Sequence, residues 1–304
     1  KNMKRMNEKQ INTIILLTIT LLTSCLSDTV KPDILLNYTP KITVNTDFDN
    51  IWVAGMPVSL EITTSEGSID SELPKLLKDA TVEYVANDGS KGSLLYNAAS
   101  EHYVTSKSFI PGTAVQLNIK HPSYPSVGSL IRFPETIDPT GTLSIAGGLD
   151  TSGNPADKLA VSFKDVSGVN NYYKINLYYF NNSISNWVPL TVPRTDPSLA
   201  GYNSIVQNDG GILFSDDLFN GKLKTITMNV SLGYVINNLG DKYKITLSSI
   251  SEDLFLYYKS LQRAQDAKEI NFQGGYNNAV VIHSNIDGGL GIIGTQSKED
   301  VILK

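Results

Sequence analysis

Stretches in which apolar and polar residues alternate with a period of two recur along most of the chain. From Tyr173 to Tyr179 every second residue is aromatic or aliphatic, with mostly polar residues between them, and residues 224–230 and 242–248 repeat the pattern. Successive side chains of a β-strand point to opposite faces of the sheet, so this alternation is typical of antiparallel sheets with one buried face. The chain is therefore predicted to be mainly β.

Turn-forming residues separate the short strands in the first half of the chain. Asn87-Asp88-Gly89 is a strong hairpin signal, and Pro111-Gly112 marks a further turn. Strands with turn signals at regular intervals predict an N-terminal Ig-like β-sandwich over residues 41–134. A second antiparallel β-rich domain is predicted over residues 135–304, and it opens with a loop-rich segment.

One main helix is predicted inside the second domain, over residues about 251–268. Ser251 can serve as the N-cap, and Glu252 and Asp253 follow in the first turn, where the helix dipole favours negative charge. The apolar side chains then recur at i, i+3, i+4 and i+7, namely Leu254, Tyr257, Tyr258 and Leu261. Such a helix would pack its apolar face on the second sheet.

The first 25 residues have the pattern of a bacterial lipoprotein signal. A basic start precedes an apolar run over residues 11–22, which is shorter than the ~20 residues needed to cross a bilayer. Leu22-Thr23-Ser24-Cys25 resembles the lipobox that lipoprotein signal peptidase reads. We therefore predict a signal peptide over residues 1–24, acylation of Cys25 that holds it in membrane lipid, and a polar tether that completes the segment 25–40.

Charge and cysteine content exclude several classes of protein. Residues 1–24 hold four basic side chains and one acidic side chain, which leaves 21 basic and 29 acidic side chains and a net charge of −8 after cleavage. An acidic chain does not suit a nucleic-acid partner, because phosphate binding needs a basic surface. Cys25 is the only cysteine, so neither disulfides nor cysteine-based zinc sites can form within the chain.

Several segments, taken in order, resemble a family of lipoproteins from Bacteroidetes-type bacteria that is catalogued as domain of unknown function 4249. They cover residues 79–82 with 87–89, 171–178, 215–221, 243–258 and 288–294. Their order and spacing over most of the chain carry the resemblance. The family has no assigned activity. Its members are often encoded beside TonB-dependent outer-membrane transporters, which implies a role in uptake at the outer membrane.

Motifs for catalysis are missing from the sequence. It contains no G-x-S-x-G elbow, no H-E-x-x-H and no Walker loop, and nothing points to the pair of positioned carboxylates that a glycan hydrolase needs. The three histidines, His102, His121 and His283, share no ligand-like spacing. We therefore predict that the protein is not an enzyme and holds neither a cofactor nor a metal.

Two pairs of residues are candidate sites. Asp216 and Asp217 could contribute oxygens to a cation site, but they lack an alternating series of oxygen ligands and are predicted instead to form a turn. Tyr172 and Tyr178 are predicted to project from the strand face opposite the core, where they could form a surface for a partner or ligand. The alternative is structural, because tyrosine suits half-buried strand positions.

The sequence thus leads to one principal function and one alternative. The principal interpretation is a membrane-anchored, non-enzymatic accessory protein that binds at a TonB-dependent transporter, as the resemblance implies. The alternative is a structural or adhesive cell-surface protein. Leu26, which follows Cys25, is not the aspartate that retains some lipoproteins in the inner membrane, so we expect an outer-membrane location and consider surface exposure consistent with it.

Overall fold

The computed structural model describes residues 39–46, 51–66, 73–201, 204–231, 239–268 and 280–304. The predicted signal peptide, Cys25 and the tether up to residue 38 lie outside the described residues. From Pro40 to Lys304 the chain groups into one compact unit. In the described part of the chain, no helix is both long enough and apolar enough to pass through a bilayer.

Every helix or strand among the described residues up to Pro134 is a β-strand, as predicted. These strands are β1 (Ile42–Asn45), β2 (Trp52–Val53), β3 (Pro57–Thr64), β4 (Thr81–Ala86), β5 (Lys91–Asn97), β6 (His102–Ser108), β7 (Ala114–His121) and β8 (Tyr124–Arg132). All except β2 belong to one eight-stranded sheet with the order β17-β1-β3-β6-β5-β4-β7-β8, in which β17 is Leu290–Ile292, close to the end of the chain.

The two edges of this sheet are bridged just before β17. Gly128 of β8 and Asp287 exchange two backbone hydrogen bonds, with N···O distances of 3.2 and 2.7 Å. The sheet thereby wraps around a single hydrophobic core. Alternate side chains of β3 and β7 point into it, as the period-two pattern predicts; these are Val58, Leu60 and Ile62, then Val115, Leu117 and Ile119.

The second half adds two further sheets and two helices. The remaining elements are β9 (Thr140–Leu149), β10 (Pro155–Lys164), β11 (Tyr172–Asn181), β12 (Asn186–Leu190), α1 (Pro197–Ala200), β13 (Ile205–Val206), β14 (Ile212–Ser215), β15 (Leu223–Ser231), β16 (Leu239–Ile250), α2 (Glu252–Lys268) and β18 (Thr295–Leu303). One sheet has the order β15-β10-β9 and the other the order β13-β14-β11-β16-β18-β2, with β12 also paired to β11.

These two sheets share one core, to which the predicted inward-facing residues contribute. Tyr173, Ile175 and Leu177 of β11 meet the inner side chains of β10, β15 and β16, and all three are buried. The mainly β fold with two successive β-rich parts and one main helix is therefore confirmed. Helix α2 begins at Glu252, and the Ser251 hydroxyl accepts a hydrogen bond from the Leu254 amide at 3.4 Å, as expected of an N-cap.

Each of the two parts of the fold contains one short strand that is far away in sequence from the rest of that part. Strand β17 pairs in parallel with β1, and β2 pairs in parallel with β18. The first core includes residues from Ile42 to Phe133 and also Ile286 and Ile293, whereas the second core starts at Ile137. The predicted division at residues 134–135 thus coincides with a change of core, and the domain boundary itself stays a prediction.

Two buried carboxylates in the second half of the fold accept hydrogen bonds from the hydroxyls of core tyrosines. The Tyr243 hydroxyl donates to Asp157 Oδ2 at 2.8 Å, and the other oxygen of Asp157 accepts from the Ala146 amide at 2.9 Å. Burial, followed by the bond to Asp157, raises the pKa of Tyr243 above its usual range. The Tyr173 hydroxyl donates to Asp165 in the same way. These pairs satisfy polar groups that would otherwise be costly to bury.

Candidate functional site

Helix α2 covers one end of the outer face of the seven-stranded sheet. Leu254 and Phe255 pack there against Ile205, Leu213 and Ile250, which form a separate small core beneath the helix. This arrangement follows from the apolar spacing of the helix and from Ser251, which starts it directly after β16. The position of the helix therefore determines which outward-facing residues of the sheet remain accessible to solvent.

Tyr172 lies beneath the first turn of this helix. Its ring stacks on Phe255 with the centroids 4.6 Å apart, and its hydroxyl donates to Glu252 Oε1 at 3.2 Å. Burial and then the nearby Glu252 carboxylate raise the pKa of Tyr172 to about 12. Tyr172 does project from the face opposite Tyr173, as predicted, but a large part of its ring is engaged by the helix.

Tyr178 lies on the same face, toward the end of β11 that is farther from the start of α2. It pairs with Lys244 on β16, whose Nζ is 4.5 Å from the centroid of the Tyr178 ring and 5.3 Å from that of Trp187. Phe180 meets Trp187 edge to face at 5.3 Å. We call Tyr178, Phe180, Trp187 and Lys244 the aromatic patch. Burial raises the pKa of Tyr178.

The aromatic patch continues into neighbouring surface. Ile302 of β18 is paired with Lys244 and is 52% exposed. The Lys244 ammonium lies 3.7 Å from Asp300 Oδ2 and is held between the carboxylate and the two rings. A lysine in this position restrains the aromatic side chains, because attraction between a cation and a ring face favours one arrangement of both.

The structure places the two predicted tyrosines on one face but in different surroundings. They are six residues apart on β11, a separation of about 20 Å along a strand. Tyr172 belongs to the contact between sheet and helix, and Tyr178 belongs to the aromatic patch. A joint partner surface made by both stays a prediction, and Tyr178 is the better placed of the two.

Asp216 and Asp217 lie in the turn between β14 and β15. Asp216 is 1% exposed; its carboxylate accepts from Asn171 Nδ2 at 3.4 Å, and burial raises its pKa. The Asp217 carboxylate accepts from the Ser215 hydroxyl at 2.6 Å. Among the residues that the structure describes, no three or more histidine, cysteine or acidic side chains are grouped so that they could hold a metal ion.

A cleft of 390 Å³ opens where the first sheet meets the start of α2. We call it the junction cleft. Its residues come from β8 and the connection after it, from the loop before β11 and the start of that strand, and from the end of β16 and the start of the helix. Three apolar side chains at its walls are unusually open to solvent: Leu130 is 51% exposed, Val166 46% and Val169 53%.

The junction cleft also brings charged side chains together. Arg132 lines one wall and Glu135, Glu252 and Asp253 line other parts. Asp253 is already engaged, because one of its oxygens lies 2.8 Å from His283 Nε2 and the other accepts from Asn285 at 3.4 Å. The sequence did not predict this site, because its segments are far apart in the chain and come together only in the folded protein. The one local indication was the presence of Val166 and Val169 in a loop, where apolar side chains do not contribute to a hydrophobic core.

Comparison with solved structures finds only distant similarity. A segment of two fibronectin type-III domains from chicken tenascin is 11% identical, with 69% of this chain and 90% of that chain covered and a TM-score of 0.19. A GH family 64 laminaripentaose-producing β-1,3-glucanase from Paenibacillus barengoltzii is 13% identical, with 68% and 46% covered and a TM-score of 0.18.

Comparison at the level of sequence gives a clearer result. No curated protein matches the chain. The family model described as Domain of unknown function (DUF4249) matches residues 28–301, which is nearly the whole of the chain. The chain belongs to this family.

Proposed function

We propose that the protein is a non-enzymatic lipoprotein of the outer membrane and an accessory binding component of a TonB-dependent transporter. The observation that carries the proposal is the aromatic patch on the outer face of the seven-stranded sheet. The lipoprotein signal predicted at Cys25 and the resemblance to lipoproteins encoded beside such transporters give the proposed location and partner.

The aromatic patch has the chemistry of a protein-binding surface. Tyrosine and tryptophan are enriched at the centres of interfaces, where each buries a large area at a small cost in side-chain entropy. Here both rings are partly covered and are held by Lys244, so little further ordering is needed when a partner binds. The exposed Ile302 beside them extends the apolar area.

Membrane attachment through Cys25 can be tested directly. In a Cys25→Ala variant we expect an unprocessed precursor or release into the soluble fraction, because a protein without acyl chains loses its stable hold on the bilayer. Metabolic acyl labelling and membrane fractionation measure both effects. A wild-type protein without label, together with normal processing and membrane retention of the Ala variant, would exclude the anchor.

Docking through the aromatic patch is tested with a Tyr178→Ser, Trp187→Ser double variant. Truncation of an aromatic anchor at an interface costs about 2 kcal/mol or more, roughly a thirtyfold loss of affinity. We therefore expect the transporter to co-purify with the wild-type lipoprotein and to be largely lost with the double variant. Circular dichroism and thermal unfolding report whether the variant is folded.

Tyr124→Ser provides the matched control for docking. Tyr124 is a partly exposed tyrosine of β8, in the first sheet, and packs against His121 with the ring centroids 5.1 Å apart. Its replacement should leave recovery of the transporter unchanged. Equal recovery by the folded double variant would remove the patch from the proposal. If even the wild-type protein recovers no transporter, the accessory role is wrong and the structural or adhesive alternative gains weight.

A further inference from the structure

The junction cleft is separate from the aromatic patch and has no part in docking as proposed above. Its volume of 390 Å³ lies within the range of about 300–1,000 Å³ that is usual for small-molecule sites. Three stretches of chain, far apart in sequence, supply its walls. Sites of this kind occur preferentially where two packed parts of a fold meet.

The apolar walls of the cleft are unexplained by the packing of the protein. Leu130 points from the outer face of β8, and Val166 and Val169 come from the loop before β11, outside both hydrophobic cores. The backbone of this loop is well fixed, because Asn171 Nδ2 donates to the Val166 carbonyl at 2.9 Å and Asn220 Nδ2 donates to the Val169 carbonyl at 2.8 Å. A ligand that covers these side chains would gain the free energy of removing them from water.

Charges of both signs remain available at the cleft. Arg132 follows Leu130 by two residues on β8 and so lies on the same face of that strand. Within the described ranges neither Arg132 nor Glu135 takes part in an ion pair. Glu252 stands at the start of α2, where one of its oxygens accepts from the Tyr172 hydroxyl. A ligand with one charge of each sign can pair with Arg132 and with a carboxylate of the cleft at the same time.

We propose that the junction cleft binds a short apolar peptide, of two or three residues, in its zwitterionic form. The carboxylate of the peptide pairs with Arg132, its ammonium group pairs with Glu252, and its apolar side chains pack on Val166 and Val169. Two or three small residues fit the volume of the cleft.

Three peptides with the same apolar body distinguish the two charge contacts. They are leucyl-leucine, its N-acetyl derivative and its C-terminal amide, each titrated calorimetrically into the purified full chain. Each cap removes one charge, and an ion pair of this exposed kind contributes up to a factor of about five in affinity. We expect leucyl-leucine to bind about fivefold more tightly than either capped peptide.

Substitution of the two side chains should remove these preferences one at a time. In Arg132→Gln the advantage of leucyl-leucine over its amide should vanish, while its advantage over the acetylated peptide persists. In Glu252→Gln the reverse is expected, and the glutamine carbonyl can still accept the Tyr172 hydroxyl. Glu299→Gln on β18 makes the same change of charge outside the cleft and should alter neither preference. Thermal unfolding of each variant verifies the fold.

Specific outcomes overturn the proposal. If the capped peptides bind as tightly as leucyl-leucine, the cleft does not recognise the charged termini of a peptide. The same conclusion follows if Glu299→Gln weakens binding as much as Glu252→Gln does. Absence of binding by leucyl-leucine at about 10 mM rejects the peptide site altogether. Because no transporter takes part in these titrations, the peptide site and the docking proposal can fail independently.

Discussion

Replacement of Trp52 by alanine should lower the free energy of unfolding by about 3–5 kcal/mol, the usual cost of deleting a fully buried large aromatic side chain. Trp52 is 1% exposed and packs against Phe109 and Phe133, with ring centroids 6.3 and 6.2 Å away. Its indole N–H donates to the Ser59 carbonyl at 2.7 Å, which would lose this donor. The surrounding rings cannot close so large a cavity.

Equilibrium unfolding in urea measures this effect as a fall in the midpoint without a change in slope. Trp187→Ala is the control, because Trp187 is only partly buried and belongs to the aromatic patch rather than to a closed core. Its replacement should cost clearly less than that of Trp52. Equal losses for the two variants would mean that Trp52 is not the centre of the first core.

Gly291→Ala should cost about 3 kcal/mol or more, for a different reason. Gly291 has a φ of +107°, which side-chain-bearing residues avoid, and a Cβ atom there would lie 2.1 Å from the Val44 carbonyl oxygen. Strained backbone of this kind costs about 1–3 kcal/mol, and overpacking adds about as much again. Strand β17 cannot move away readily, because the Thr46 amide donates to the Ile292 carbonyl at 3.0 Å.

The Gly153→Ala variant distinguishes the cost of backbone strain from the cost of a steric clash. Gly153 has a φ of +83°, and no atom lies within 4 Å of where its Cβ would be placed. That variant should lose only the strain, so the difference between the two variants measures how closely β17 approaches β1. Similar losses of stability, measured by the same urea titration, would contradict a close approach of the two backbones.

Local pattern was enough to predict much of the fold. The inward-facing sets in β11, β15 and β16 follow from period-two alternation, and α2 was located to within one residue at its start by Ser251 and the acidic residues after it. The parallel pairs β17 with β1 and β2 with β18 could not be predicted in this way. Their partners are more than 200 residues apart, and a strand of two or three residues has no periodicity to read.

The candidate sites show the same limit. Alternation correctly assigned Tyr172 and Tyr178 to the face opposite Tyr173, but it says nothing about which element packs on that face. Helix α2 engages Tyr172 and leaves Tyr178 beside Lys244 and Trp187. The junction cleft was not foreseen at all, because Arg132 and Glu252 meet only after the whole topology has formed.

The exchange of strands between the two ends of the chain also determines the order of events during synthesis. The Ile292 amide donates to Asn45 Oδ1, a contact between residues 247 positions apart, so the first sheet gains its β17 edge only after residues up to 292 have been synthesised. Contacts between residues so far apart in sequence slow folding, because the chain loses the entropy of closing a large loop before these contacts can stabilise the fold. A ribosome-bound fragment that stops before Asp287 would expose the open edges of β1 and β8, so loss of the segment from Asp287 onward would damage the part of the fold that was synthesised first.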